Sequence, residues 1–248
     1  MSNDASPTIL VSIATYNEVE NLPRLVPAIL QVVPTATILV IDDNSPDGTG
    51  KWCDEFATAD NRLVCIHRTG KLGLGSAAIA GINYAIEHDF DLLVNLDADF
   101  SHPPAVIPDL VEKLNETGTD VAIGSRYMPG GSIEGWPWRR KISSRIVNWM
   151  ARKGLGLDVS DCSGSFRCYS VTALKRMDAS KLTADGYSFY EEVLLRLARS
   201  GATFCEVPFT FVEREQGVTK LGYAEAIQAG THLLKMSIAA LSPFAPRK

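Results

Sequence analysis

Two aspartates, Asp97 and Asp99, flank Ala98 directly after the apolar run 92–96, and their spacing suits metal chemistry. Side chains two positions apart on an extended segment point to the same side, so both carboxylates can close on one divalent cation. A hard cation held there can bridge the phosphates of a nucleotide and neutralise charge on a departing diphosphate. The pair also suits a simple turn, because Asp caps helices and forms Asx turns where strands end.

The segments around this pair alternate between apolar strands and amphipathic helices. Strands are predicted over 8–14, 36–41, 63–66, 91–96, 120–124 and 203–207. Helices are predicted over 19–32, 49–57, 76–87, from 103 onward, over 139–153 and 187–199, and as a long C-terminal helix. Strands that read as unbroken apolar runs between helices predict an α/β fold with a mostly parallel sheet flanked by helices.

Polar segments follow four of these strands, where a parallel sheet binds its ligands. They are Thr15-Tyr16-Asn17-Glu18, Asp42-Asp43, the loop that carries Lys71, and Asp97-Ala98-Asp99. We expect them to meet at one edge of the sheet, which favours the metal interpretation of the aspartate pair. Asp43 is a candidate acceptor for a base N–H or a ribose hydroxyl, although the segment 42–49 also suits a turn followed by a helix cap.

Three further segments are candidates for anion binding. The glycine-rich run 71–76 resembles a phosphate loop with Lys71 beside a diphosphate, but it matches neither Walker A nor G-x-G-x-x-G in full. Its glycines are equally compatible with a turn into a helix. Arg126 directly follows the strand 120–124 and is predicted to bind an anion. Arg167 is predicted to be either an internal ion-pair partner of Asp161 or a substrate residue.

Composition restricts the class of protein. The chain has 248 residues, 46% of them hydrophobic, and no linker rich in Pro, Gly or Ser, which predicts a single domain over 1–248. The net charge of −5 argues against general nucleic-acid binding. Five scattered cysteines without C-x-x-C spacing argue for a reducing compartment, and against structural zinc or a disulfide framework. Neither a signal peptide nor a transmembrane segment is apparent, which predicts a soluble or peripheral protein.

The segment 136–156 is a basic island in this acidic chain, with six basic residues and no acidic one. Trp138, Ile142, Ile146 and Trp149 recur within it at spacings of three and four, as on one face of a helix. One interpretation is an ordinary amphipathic helix packed on the core. The other is an interfacial helix with tryptophans at headgroup depth and arginines on lipid phosphates.

Taken in order, these motifs resemble the family-2 glycosyltransferases of the GT-A (Rossmann-like) fold, and closely the dolichol-phosphate (polyprenol-phosphate) mannose synthases. The resemblance covers residues 9–241. It is carried by Tyr16-Asn17-Glu18, the segment 42–49, Lys71 to Gly75, Asp97-Ala98-Asp99 with Ser101-His102-Pro103, Gly124 to Tyr127, Arg140 with Ser144-Arg145, Gly164 to Arg167, and Lys220-Leu221-Gly222.

The resemblance implies inverting transfer of mannose from GDP-mannose to a polyprenyl (dolichyl-type) phosphate, with Mg²⁺ or Mn²⁺ on Asp97 and Asp99. It assigns Tyr16, Asn17, Glu18, Asp43, Lys71, Asp97 and Ala98 to the donor. It places Asp99, Arg126 and Arg140 at the reacting groups, and Arg126, Arg140, Ser144, Arg145, Arg167, Glu192, Arg214 and Lys220 at the acceptor phosphate or sugar. The nucleotide part is expected over about 8–132 and the acceptor and membrane-facing part over about 133–241.

Two departures from the family pattern bear on these expectations. Tyr190 stands before Glu191-Glu192 where many members carry Gln, so sugar contacts from that helix are less certain. The C-terminal membrane helices of some members are absent, which resembles the members that lie peripherally on the cytoplasmic face of a membrane. A membrane-anchoring subunit is a candidate partner.

Other functions remain open from the residues. The nearest alternative is transfer of glucose or another sugar from a UDP-sugar to polyprenyl phosphate by the same fold. A nucleotidyltransferase would carry a Gly-rich basic loop directly after the first strand, where this chain has Thr15-Tyr16-Asn17-Glu18. The intact aspartate pair with several arginines argues against a non-catalytic sugar-nucleotide binding protein.

Overall fold

The computed structural model describes residues 6–182 and 189–213. The strands are β1 (Ile9–Thr15), β2 (Thr37–Asp42), β3 (Leu63–His67), β4 (Leu92–Asp97), β5 (Val121–Ser125), β6 (Ser132–Glu134), β7 (Arg167–Ser170), β8 (Phe204–Pro208) and β9 (Thr210–Val212). The α-helices are α1 (Leu22–Val32), α2 (Thr49–Ala59), α3 (Leu74–Glu87), α4 (Ile107–Thr117), α5 (Trp138–Leu155), α6 (Val171–Met177) and α7 (Phe189–Arg199). Short 3₁₀ helices span Pro104–Val106 and Ala179–Lys181.

A seven-stranded sheet in the order β3-β2-β1-β4-β7-β5-β8 forms the centre of the fold. All its strands run parallel except β7, which is antiparallel to both β4 and β5. The prediction of a mostly parallel α/β sheet is therefore confirmed. Buried apolar side chains cover both faces of the sheet, which explains why its strands read as continuous apolar runs instead of alternating ones.

The register of the central strands brings the functional loops to one level. Thr15 at the end of β1 pairs with Asp42 on one side, and Ala14 pairs with Asp97 on the other. The three strands thus end together, and the polar segments that follow them meet at the carboxyl edge of the sheet, as the sequence predicts.

Several elements differ from the sequence prediction. Helix α1 begins at Leu22 rather than Val19, because 15–21 is occupied by turns bonded to neighbouring loops. The segment 158–167, predicted as a loop, ends in strand β7, which is inserted between β4 and β5. The small parallel pair β6–β9 was not predicted. Helix α7 is described from Phe189, and the predicted C-terminal helix lies outside the described residues.

Candidate functional site

The loops after β1 and β2 are hydrogen-bonded into one unit. The Asn17 N–H donates to Ser45 Oγ at 2.9 Å, and the Glu18 N–H donates to Thr49 Oγ1 at 3.0 Å. Asn17 has a left-handed backbone (φ 64°), which Asn adopts more readily than most residues. The segment 42–49 therefore does form the predicted turn before α2, and it also fixes the loop that carries Tyr16, Asn17 and Glu18.

Asp43 holds the glycine-rich loop in place. Its Oδ2 accepts from the N–H groups of Leu72 and Gly73 at 3.1 and 3.3 Å. Its Oδ1 lies 2.8 Å from Arg68 Nη1 in a largely buried ion pair, although the two groups are not aligned as a hydrogen bond. The sequence analysis did not select Arg68. Its position directly after β3, at the carboxyl edge of the sheet, is the feature from which it could have been identified. Asp43 thus positions its surroundings in addition to any contact with a nucleoside.

Lys71 lies against Tyr16. Its Nζ is 4.4 Å from the centroid of the Tyr16 ring, a cation–π contact between the glycine-rich loop and the loop after β1. The exposed lysine is held over the same edge of the sheet as Asp43. The predicted donor residues from three separate strand ends are therefore brought together.

The aspartate pair lies at the end of β4 in a polar setting. Asp97 Oδ1 accepts from the Ser165 hydroxyl at 2.9 Å, and Asp99 Oδ1 accepts from the Ser101 N–H at 3.1 Å. Both aspartates are half-buried, while Ala98 between them is buried. The bond to Ser101 is the Asx turn that the sequence analysis considered as the simpler interpretation, so Asp99 shapes this turn.

His102 fixes the backbone at the aspartate pair. Its Nδ1 accepts from the Asp97 N–H at 3.0 Å, and its ring stacks on Phe166 with the ring centroids 4.9 Å apart. Complete burial lowers the pKa of His102 despite the opposing effect of Asp97 and Asp99. The ring is therefore neutral at pH 7, and its 4.0 Å approach to Asp97 Oδ2 is not an ion pair. His102 therefore does not compensate the negative charge of Asp97.

Arg126 is the buried cation of the site. Its Nε and Nη2 donate to the two carboxylate oxygens of Asp161 at 2.7 and 2.8 Å, and Nη2 also donates to Ser163 Oγ at 3.0 Å. Burial alone would lower the pKa of Arg126, but the charge and hydrogen bonds of Asp161 raise it, with a smaller contribution from Asp97. Burial alone would likewise raise the pKa of Asp161, and Arg126 lowers it. Both groups stay charged.

The structure corrects both interpretations of Arg167. The ion-pair partner of Asp161 is Arg126, not Arg167. The Arg167 side chain is fully buried, and its guanidinium donates to the carbonyls of Tyr190 and Cys162 at 2.8 and 2.6 Å. A guanidinium enclosed in this way joins β7 to α7, and it is not accessible to a substrate.

The first turn of α7 is buried beside this network. The Tyr190 hydroxyl accepts from Asn95 Nδ2 at 3.0 Å, so the residue that departs from the family pattern packs against β4. Glu192 forms an ion pair with Arg196 at 2.7 Å. Burial raises the pKa of Glu191 to about 7, although the positive charges of Arg167 and Arg126 oppose the rise.

Helix α5 borders the charged site through its buried side. Asn148 donates to the same Ser163 Oγ that Arg126 contacts, at 2.9 Å, and Tyr127 donates to Ser144 Oγ at 2.7 Å. Arg140 stacks on Trp136 at 3.9 Å from the ring centroid and forms an ion pair with Glu213.

The apolar stripe of α5 is exposed. Trp138 and Trp149 expose 67% and 62% of their surface, and Ile142 and Ile146 about half of theirs. Arg145 is exposed beside them. The interpretation of α5 as an ordinary helix that buries this stripe in the core is therefore wrong for these residues. Of the remaining predicted site residues, Arg214 and Lys220 lie outside the described residues.

Comparison with known proteins identifies the family. The sequence profile of glycosyl transferase family 2 matches residues 10–178, more than half of the chain. The chain belongs to glycosyl transferase family 2. It is therefore a glycosyltransferase, and the match covers β1 to α6, which include the glycine-rich loop, the aspartate pair and Arg126.

Two curated relatives are similar over most of their length. The polyprenol monophosphomannose synthase of Mycolicibacterium smegmatis is 43% identical over 86% of this chain and 80% of its own. The undecaprenyl-phosphate mannosyltransferase of Micrococcus luteus is 40% identical over 94% of this chain and 95% of its own.

Solved structures support the fold. A mannosyltransferase from Pyrobaculum calidifontis in complex with GDP-Man and Mn²⁺ has a TM-score of 0.63 and 17% identity, and the match covers 99% of this chain and 68% of that one. The glucosyl-3-phosphoglycerate synthase of Mycobacterium tuberculosis with Mn²⁺ and UDP has a TM-score of 0.65 and 19% identity. That match covers 98% of this chain and 82% of the synthase chain. The GT-A-like architecture is thus confirmed.

Proposed function

We propose that this glycosyltransferase transfers mannose, with inversion, from GDP-mannose to a polyprenyl phosphate. One observation carries the proposal: Ser163 joins the buried Arg126 to Asn148 of α5, the helix that exposes the tryptophan stripe. A charged reaction site thus directly adjoins an apolar surface, as an anionic lipid acceptor requires. The names of the two relatives at 40–43% identity support the same acceptor and sugar.

On the donor side, we propose that Tyr16, Asn17, Glu18 and Asp43 bind the nucleoside and that Lys71 binds the diphosphate. All lie at the carboxyl edge of β1 to β3 or on loops fixed to that edge by the bonds of Asp43 and Ser45. The Pyrobaculum mannosyltransferase of the same fold is in complex with GDP-Man and Mn²⁺, which supports GDP-mannose as the donor.

Asp97 and Asp99 suit a hard divalent cation such as Mg²⁺ or Mn²⁺. Both carboxylates are half-buried at the end of β4, oxygen donors are what such a cation prefers, and the neutral His102 forms no ion pair with Asp97. When bound, the cation would neutralise charge on the diphosphate leaving group. The carboxylates hold it and are not themselves the acid or base. Ser165 and His102 keep Asp97 in position through its side chain and its N–H.

The acceptor phosphate needs charge compensation more than a general base. Its second pKa is about 6, so its oxygen is already nucleophilic near neutral pH. It must approach a diphosphate of the same charge, and arginine with its fixed fork of donors reduces that repulsion. Arg126 is held for this by Asp161, and we assign Arg140, Ser144, Arg145 and Glu192, with Arg214 and Lys220, to the acceptor side.

We propose that α5 lies on the lipid surface during the reaction. Trp138, Ile142, Ile146 and Trp149 are exposed on a helix whose six neighbouring charges are all basic, which suits anionic headgroups above an acyl layer. None of the described helices is both long and apolar enough to cross a bilayer. We propose one catalytic domain over 1–248 that binds the cytoplasmic face peripherally through α5, with a membrane-anchoring subunit as candidate partner.

A donor panel tests the proposal. GDP-mannose, UDP-glucose and UDP-N-acetylglucosamine are each incubated with a short polyprenyl phosphate and Mg²⁺ or Mn²⁺, and the lipid product is identified by mass spectrometry. We expect a hexosyl phosphate lipid from GDP-mannose alone. A product from a UDP-sugar instead would establish the alternative donor, and transfer to a soluble acceptor only would refute the lipid assignment.

A further inference from the structure

A second group of metal-ligating side chains lies at the β3 edge of the sheet, away from the aspartate pair. The Cys65 Sγ, a ring nitrogen of His67 and a carboxylate oxygen of Asp54 all lie within 4.8 Å of one another. Cys65 and His67 are two positions apart on β3 and so point to one side, towards Asp54 on α2. None of these residues has a role in the proposed transfer reaction.

The group runs from the interior to the surface. Cys65 is half-buried, whereas His67 and Asp54 expose about half or more of their side chains. The sulfur atom thus lies inside, and the nitrogen and oxygen donors lie at the opening, where water has access. Cys53, which precedes Asp54 on α2, is fully buried.

The donor types and distances select the cation. A thiol, an imidazole and a carboxylate match the ligands of Zn²⁺, whereas Mg²⁺ and Mn²⁺ prefer oxygen. Bonds of about 2.0–2.3 Å separate the ligand atoms of a tetrahedral zinc site by roughly 3.3–3.8 Å. His67 Nε2 and Asp54 Oδ1 are 2.9 Å apart, so a cation would have to move these two exposed side chains apart by less than about 1 Å.

We propose that Cys65, His67 and Asp54, with water as the fourth ligand, bind one zinc-type divalent cation that joins α2 to β3. As the bonds form, the Cys65 thiol releases its proton to solvent, and so does the His67 nitrogen that binds if it carries one. Among the described strands β3 pairs only with β2, so such a cation would add a second attachment for β3, to α2.

Cobalt titration of the reduced, metal-stripped full chain tests the proposal. Thiolate ligation to Co²⁺ produces a near-ultraviolet charge-transfer band that an all-oxygen site such as Asp97 and Asp99 does not, so the readout is independent of the catalytic cation. We expect the band to saturate at one equivalent of Co²⁺ and to be displaced by Zn²⁺. Zn²⁺ should also raise the melting temperature of the wild type more than that of Cys65→Ser.

Matched variants make the test decisive. Cys65→Ser should abolish the band, and His67→Gln or Asp54→Asn, changes at exposed positions, should weaken binding at least tenfold. Cys205→Ser alters an equally half-buried cysteine on β8 and should leave the titration unchanged. Absence of the band, or its persistence in Cys65→Ser, would overturn the proposal.

Discussion

The carboxyl edge of the sheet and the outer face of α5 differ in how their charges are compensated. At the edge, Arg126 and Asp161 are buried and share two hydrogen bonds, and Asp43 is tied to a loop and to Arg68. On α5, the tryptophans and Arg145 are exposed to solvent. The charged groups of the first region are therefore held in fixed positions by one another, whereas the side chains on the outer face of α5 lack such partners within the described residues.

The largest expected effect comes from breaking the buried pair. Asp161→Asn leaves Arg126 charged and buried without its counter-ion, so the free energy of unfolding should fall by about 3–5 kcal/mol. Chemical denaturation measures it. The control is Asp158→Asn, which removes an exposed ion pair with Arg152 and should cost less than about 1 kcal/mol. If both variants lost the same free energy of unfolding, burial would not distinguish the two ion pairs.

Asp99→Ala tests the metal assignment at the edge. Since the cation stabilises the leaving group, turnover should drop at least about 100-fold at saturating Mg²⁺ or Mn²⁺. Initial rates with labelled GDP-mannose provide the measurement. Asp109→Ala, which changes an exposed aspartate on α4, should keep wild-type turnover. Undiminished activity of Asp99→Ala would exclude its role as a ligand.

Glu191 should make stability depend on pH. Its pKa is raised from 4.5 to about 7 in the folded protein, so its contribution is fully present below about pH 4.5 and is lost as pH rises through 7. The loss amounts to up to about 3 kcal/mol. Glu191→Gln should remove this slope in urea denaturation at pH 5 and pH 8, whereas the exposed Glu112→Gln should keep it. A slope that persists in Glu191→Gln would show that another group titrates.

The smallest expected effect concerns the exposed face of α5. Replacing both Ile146 and Trp149 by Ser should weaken binding to vesicles with anionic lipid by about tenfold or more, because each would bury apolar surface in the lipid. Co-sedimentation at low and high salt measures it. Val212→Ser, at an exposed apolar residue on β9, is the matched control. Equal binding of all three proteins would exclude α5 as the lipid-facing surface.

Sequence patterns predicted the elements because those patterns are local. Continuous apolar runs revealed six of the strands, and the spacing of Trp138, Ile142, Ile146 and Trp149 revealed one face of α5. Strand β7 was missed because its four residues follow a polar segment and begin with Arg167, whose burial depends on carbonyl groups from other elements.

The carboxyl edge was predicted because a parallel sheet brings strand ends together whatever their order. The partners within it were not predictable. Asp161 was considered as a partner of Arg167. With β7 inserted between β4 and β5, Asp161 instead forms its ion pair with Arg126. The orientation of α5 was also left open. An apolar stripe on a helix faces the solvent when the opposite side of the helix is the one that contacts the rest of the protein, and such contacts cannot be read from the helix sequence.

By itself, the sequence determined the alternation of strands and helices, the aspartate pair at a strand end and the basic helix. Each of these features depends only on residues that are close together in the chain. Only the tertiary structure decided which charges are buried together and which apolar face is exposed. It also brought Asp54 on α2 close to Cys65 and His67 on β3. Such contacts depend on the order of strands in the sheet, which places residues far apart in the chain side by side.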